Sequence, residues 1–244
     1  MRLDRFALAA AITCALLPVP CRGQAFVAPL VVERSPTPIT IANAGAEPMR
    51  VAVQIADFDQ DGAGVTTFRD VGQSSHSCGE RMRVTTPPTQ IAARSEIRLL
   101  VTVEAGERPC WGAVLVRLSH GLAAGARIGV KVYSSPAGAP RSAEVARIAF
   151  ERDSVRAVVV NTGPTPLRPR GRIELRSPAG AVLATFDVAA FGLHPGIRRT
   201  VSVPAGSLPA GRYVALAVFD VGNPDLIAGE AVVDVPQRPA GGPQ

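Results

Sequence analysis

Apolar and polar residues alternate with period two in several short stretches of the chain. Val51, Val53 and Ile55 alternate with Ala52, Gln54 and Ala56, and Ile97, Leu99, Val101 and Val103 alternate with Arg98, Leu100, Thr102 and Glu104. Successive side chains of a strand point to opposite faces, so this pattern predicts half-buried β-strands. Further strands are expected at Val27 to Val32, Ile39 to Ala42, Arg83 to Ile91, Trp111 to Leu118 and Arg127 to Tyr133. No segment sustains a helical period. Around seven short strands separated by turn residues, within about 110 residues, is the pattern of an immunoglobulin-like sandwich.

The same layout recurs. Ile39 to Ala42 runs into Asn43-Ala44-Gly45-Ala46-Glu47-Pro48, and Val158 to Val160 runs into Asn161-Thr162-Gly163-Pro164-Thr165-Pro166. Asn-x-Gly-x-x-Pro thus appears twice, 118 residues apart, each time between strand-like runs, with Asn and Gly suited to a left-handed turn. The second half supplies further strands at Val145 to Phe150, Val155 to Val160, Leu167 to Arg176, Val182 to Val188, Arg199 to Val203, Tyr213 to Phe219 and Ile227 to Val235. The fold class expected is all-β, with two tandem immunoglobulin-like β-sandwich domains. The first covers residues 26–135, the connector with its Pro136, Gly138 and Pro140 covers 136–142, and the second domain covers 143–236. Residues 237–244 are too poor in apolar surface to order themselves. Tyr213 follows the turn Leu208-Pro209-Ala210-Gly211-Arg212, as in the tyrosine corner of such sandwiches, and Trp111 is the candidate for that place in the first domain.

The N-terminus changes the compartment. Arg2 and Arg5 precede the apolar run Phe6 to Leu17, Pro18 breaks it, and Gly23-Gln24-Ala25 offers small residues for cleavage, so residues 1–25 read as a signal peptide. The run of 12 residues is too short to span a bilayer. The mature chain is expected in the periplasm or outside the cell, with no transmembrane segment. Cys21 is where a lipid anchor would sit, although Pro18 and Pro20 occupy positions a lipoprotein signal reserves for small residues. After cleavage 219 residues remain with a formal charge of +4, mildly basic only, and the single lysine is Lys131. Two cysteines also remain, Cys78 and Cys110, and an even pair in an exported protein reads as a disulfide.

Candidate chemistry is sparse. Asp57, Asp59, Asp61 and Gly62 have the spacing of a calcium loop, but its twelfth position is Phe68 instead of a bidentate Glu. A hairpin tip is the preferred reading, with calcium binding as its alternative. Arg168, Arg170, Arg172 and Arg176 share one parity opposite Leu167, Ile173 and Leu175, so a guanidinium row faces outward; Glu174 interrupts it and a solvated sheet face is the plainer reading. His76, His120 and His194 lie in loop-like stretches without a nucleophile or metal motif. No catalytic residue and no cofactor is expected, and export argues against nucleic acid as a partner.

These residues together resemble a known family. Two exported sandwiches in tandem, a strand running into Asn43-Ala44-Gly45, and a first domain closing on Ile128-Gly129-Val130-Lys131-Val132-Tyr133 before Pro136 resemble the periplasmic pilus-assembly chaperones and their non-fimbrial relatives. The resemblance implies that the last strand of the first domain is lent to another exported protein, a subunit or surface protein, as a missing strand. Ile128, Val130 and Val132 match the alternation this requires. The family anchors the subunit's terminal carboxylate with a basic residue on that strand. Counting back from Tyr133 puts that position on Val130, and Arg34 or Lys131 would substitute. The resemblance therefore implies a chaperone-like protein-binding module, and a structural or adhesive spacer is the alternative.

Overall fold

A computed structural model describes residues 25–120, 125–205 and 208–237. Residues 1–24 of the expected signal peptide, Cys21 included, and nearly all of the expected C-terminal tail lie outside the described residues.

The first half contains β1 (Ala25–Ala28), β2 (Val31–Val32), β3 (Thr37–Asn43), β4 (Met49–Gln60), β5 (Thr66–Arg69), β6 (Met82–Val84), β7 (Gln90–Ile91), β8 (Ser95–Val103), β9 (Cys110–Ser119) and β10 (Ala126–Ser134). One sheet has the order β1-β3-β8-β6, and the facing sheet has the order β2-β10-β9-β4-β5, with β7 beside β4. The second half contains β11 (Ala143–Glu151), β12 (Ser154–Asn161), β13 (Arg170–Arg176), β14 (Val182–Val188), β15 (Arg198–Pro204), β16 (Gly211–Asp220) and β17 (Ile227–Val235). Its sheets are β11-β12-β15 and β14-β13-β16-β17. Among the described residues the single helical segment is a 3-10 turn, Gly79–Arg81. The protein is all-β, two tandem immunoglobulin-like β-sandwiches.

Each sandwich has its own core. Ile39, Ile41, Leu99 and Val101 of one sheet meet Val51, Val114, Val116, Val130 and Val132 of the other, all buried. Val155, Ala157 and Val159 likewise meet Ile173, Leu175, Ala215, Ala217 and Phe219. The alternating patterns read from sequence are these inward rows. Two expected strands are each broken. Residues 27–32 split at Pro29 into β1 and β2, which join opposite sheets, and residues 83–91 split across Pro87 and Pro88 into β6 and β7. Proline lacks the N–H that a continuous ladder needs.

The repeated Asn motif performs the same task twice. Asn43 closes β3, and its amide donates to the carbonyls of Glu47 (2.8 Å) and Ala92 (3.0 Å), while its Oδ1 accepts from the Gly45 N–H at 3.0 Å. Asn161 closes β12, its amide donates to Thr165 (2.8 Å) and Leu193 (2.9 Å), and its Oδ1 accepts from Gly163 N–H at 3.0 Å. Both are buried. The expected left-handed backbone is not used: neither Asn nor its Gly is among the residues with positive φ. The Asn side chain makes the turn by its own hydrogen bonds. Gly163 is needed for a different reason, because a Cβ there would stand 2.9 Å from the Ser142 nitrogen of the connector.

Cys78 and Cys110 are bridged, with Cα atoms 5.1 Å apart. Tyr213 forms the tyrosine corner, its hydroxyl donating to Pro209 O at 2.8 Å. Trp111 does not reproduce it. Its indole N–H crosses the sheet to Phe58 O at 3.1 Å, because residue 111 points to the outer face of β9 with Ala113 and Leu115.

An open strand edge beside an interdomain cleft

Strand β10 pairs with β9 along its whole length, from Ala126 opposite Leu118 to Ser134 opposite Cys110. On its other side β2 covers only Lys131 and Val132, in parallel, and Lys131 N–H donates to Leu30 O at 2.9 Å. In a regular strand the N–H and C=O of one residue point the same way and alternate residue by residue. Arg127 and Gly129 share the parity of Lys131, so their backbone groups point away from β9 along a stretch, Ala126 to Val130, that pairs with no other strand among the described residues. That is an open edge about five residues long.

The apolar row of this strand points elsewhere. Val130 and Val132 are fully buried in the first core, and Ile128 packs against it. The side chains expected to face a partner fill the sandwich's own interior, and the backbone edge is what the strand exposes.

The opposite parity of β10 lies on the outer face of the sheet. There the hairpin of β4 and β5 folds back, leaving no room for a Cβ at Gly129 beneath the Phe68 ring. Lys131 is half-buried under this hairpin, with its Nζ 2.7 Å from Thr66 Oγ1 and 5.3 Å from the Phe58 ring centroid. Desolvation lowers its pKa, and the nearby Arg199 and Arg168 lower it further. Lys131 therefore serves the hairpin.

Arg34 stands apart from it, exposed at the lip of a cleft between the domains. This cleft, about 870 Å³, is lined by Glu33, Arg34, Tyr133, Arg141, Arg168, Arg170 and Asp220 among others. Glu33 and Arg168 bridge it at 3.5 Å. No carboxylate pairs with Arg34 among the described residues. Beyond the cleft the domains meet through an aromatic box. His194 of the second domain sits 4.6 Å from the Trp111 ring, 5.3 Å from Phe58 and 5.8 Å from Tyr133, and the Tyr133 hydroxyl is 3.4 Å from His194 Nε2. His76 stacks on Trp111 at 4.2 Å. Burial pushes His194 down to about 4, and burial pushes Tyr133 up to about 12. At neutral pH a protonated phenol therefore faces a neutral imidazole.

The remaining candidates are dispersed. Asp57 is buried and accepts from Ser74 N–H (3.0 Å) and the Ser77 hydroxyl, Asp59 pairs with Arg69 (2.6 Å), and Asp61 accepts from Ala63 and Val65 N–H groups. They hold the β4–β5 hairpin and the loop behind it, each with its own protein donors. Among the described residues no group of three or more His, Cys, Asp or Glu side chains is placed to hold a metal ion. Ser75 Oγ lies 2.9 Å from His76 Nδ1, but this is an exposed neighbour contact without a carboxylate to orient the ring. The box around His194 was missed from sequence, since its four rings come from loops and strands far apart in the chain. No helix among the described residues is long and apolar enough to cross a membrane.

Fold and site together define a tandem immunoglobulin-like module with an exposed strand edge next to an interdomain cleft. No family model matches the chain, and no curated protein matches it. Solved structures similar to it include those of pilus-assembly chaperones, the family its sequence resembles. The class 5 fimbriae chaperone CfaA is 9% identical, with a TM-score of 0.49 over 87% of this chain and 100% of that one. A complex of the chaperone CsuC with the tip adhesion subunit CsuE from Acinetobacter baumannii gives 11% identity and a TM-score of 0.47 over 86% and 98%. The chaperone CupB2 from Pseudomonas aeruginosa gives 13% and 0.44 over 86% and 100%.

Proposed function

We propose that this chain is an exported, chaperone-like protein-binding module, without enzymatic activity, that captures another exported protein by strand pairing along β10. The open edge from Ala126 to Val130 carries this reading, because unpaired N–H and C=O groups in a row are a template for an incoming strand. Arg34, unpaired at the lip of the cleft a few residues beyond the end of that edge, is suited to a carboxylate of the same partner. Affinity would come from main-chain hydrogen bonds, with Ile128, Val130 and Val132 holding the strand in place from within and Lys131 holding the hairpin above it. The disulfide supports export, since such bridges persist in oxidising compartments.

A spacer role is the second reading, favoured by the aromatic box that fixes the two sandwiches against each other. Hydrogen exchange separates the two. In complex with a protein co-purified from the native periplasm, the amides of Arg127 and Gly129 should gain protection, while amides already bonded to β9 should not change. A complex that leaves both amides exchanging as in the free chain would overturn pairing at this edge.

A further inference from the structure

The outer face of the first domain holds a second polar groove, remote from the interdomain cleft. On β4 this face carries Arg50, Ala52, Gln54, Ala56 and Phe58; on β9 it carries Trp111, Ala113, Leu115 and Arg117; on β10 it carries Arg127, Gly129, Lys131 and Tyr133. None of these is acidic. At the end away from the second domain, Arg127 stands directly opposite Arg117 across the ladder. Like charges facing each other across two strands destabilise a sheet. Neither guanidinium has a carboxylate partner among the described residues, and Arg50 on the same face has none either. Elsewhere in the chain exposed arginines repeatedly find acids, as Arg212 finds Asp234 and Arg170 finds Asp220.

The groove is shaped as well as charged. Its volume is about 390 Å³, within the range of small-ligand clefts. Phe68 forms a wall and lies under the Arg127 guanidinium, 5.8 Å from the ring centroid, which limits the directions this side chain can take. Arg69 also lines the groove, with its charge already offset by Asp59 at 2.6 Å, and Gln54 and Gln73 add uncharged donors. The single carboxylate among its lining residues is Asp70.

We infer that this groove is an oxyanion site, in which Arg117 and Arg127 grip a phosphate or carboxylate group of a small multiply charged ligand. Guanidinium forks match both groups bidentately, and a bound dianion relieves the repulsion between the facing arginines. The site is independent of the strand edge: it uses the face of the sheet, and its ligand is a small anion.

Titration calorimetry of the full mature chain at 0.15 M sodium chloride tests this, with pyrophosphate and citrate as probes. Saturable binding is expected for at least one probe, weakened about tenfold or more by Arg117→Gln and less by Arg117→Lys, which keeps the charge and loses the fork. Arg212→Gln, far from the groove, should bind as the wild type does. Pyrophosphate alone binding assigns the site to phosphate esters, and citrate alone assigns it to carboxylates. Thermal unfolding of each variant, with and without probe, identifies a variant that has lost its fold, and a folded Arg127→Gln then serves in place of Arg117→Gln. No saturable binding of either probe, or binding that both glutamine variants leave intact, would overturn the assignment.

Discussion

The two sandwiches carry arginines on corresponding sheet faces and treat them in opposite ways. In the second domain Arg172 and Arg176 both close on Glu174, and Arg170 closes on Asp220. Glu174 is held below its ordinary range first by Arg172 and then by Arg176, and Asp220 first by the Gly222 N–H and then by Arg170. In the first domain Arg117 and Arg127 face each other with no acid between them. A row of arginines on a strand is therefore no sign of a site by itself; what matters is whether the neighbouring strands supply counter-charges. The row that draws attention in the sequence is the neutralised one.

The largest effect is expected at Val130→Glu. A carboxylate forced into the first core should cost roughly 4 kcal/mol or more, abolishing the first domain's transition in urea unfolding followed by circular dichroism. An unchanged midpoint would mean that the β10 row is not core. Next come the paired Asn residues. Asn161→Ala leaves two buried carbonyls without their donor, and Asn43→Ala leaves part-buried ones without theirs, so each should cost about 2–4 kcal/mol, with Asn161→Ala the more costly. A loss at one site only would show that the two turns are not equivalent.

The domain interface should respond to acid. His194 has an unfolded value near 6.5 and a folded value of about 4, so the unfolded chain binds the proton more readily over that window. The contribution is present above pH 6.5 and is lost as pH falls towards 4, to a limit on the order of 3 kcal/mol. Stability measured from pH 7 to 4 should fall less steeply in His194→Gln than in the wild type. Equal slopes would remove His194 as the cause. The smallest change is expected at Tyr213→Phe, about 1 kcal/mol by thermal unfolding, for the single bond to Pro209 O.

Much of the fold was legible because each inward row is local: Val114, Val116 and Leu118 are neighbours two apart in the chain, and burial follows parity. The Asn repeat was legible because its hydrogen bonds reach four residues ahead. What crosses between domains was not. Nothing near Trp111 indicates that its ring meets His194, 83 positions on, and the inward fate of Val130 depends on which face of β10 the other sheet covers. The facing of Arg117 and Arg127 depends on the register between β9 and β10, and a shift of one residue there would have turned the pair apart.

Trp111 is the chain's one tryptophan, and it lies between an imidazole of its own domain and an imidazole of the other. Indole emission is quenched by a protonated imidazole in contact with it and shifts when the ring meets water. The molecule thus contains an intrinsic optical gauge of its own domain closure: any partner, acid pulse or mutation that draws His194 out of the box should change the colour and intensity of a single fluorophore, with no label attached.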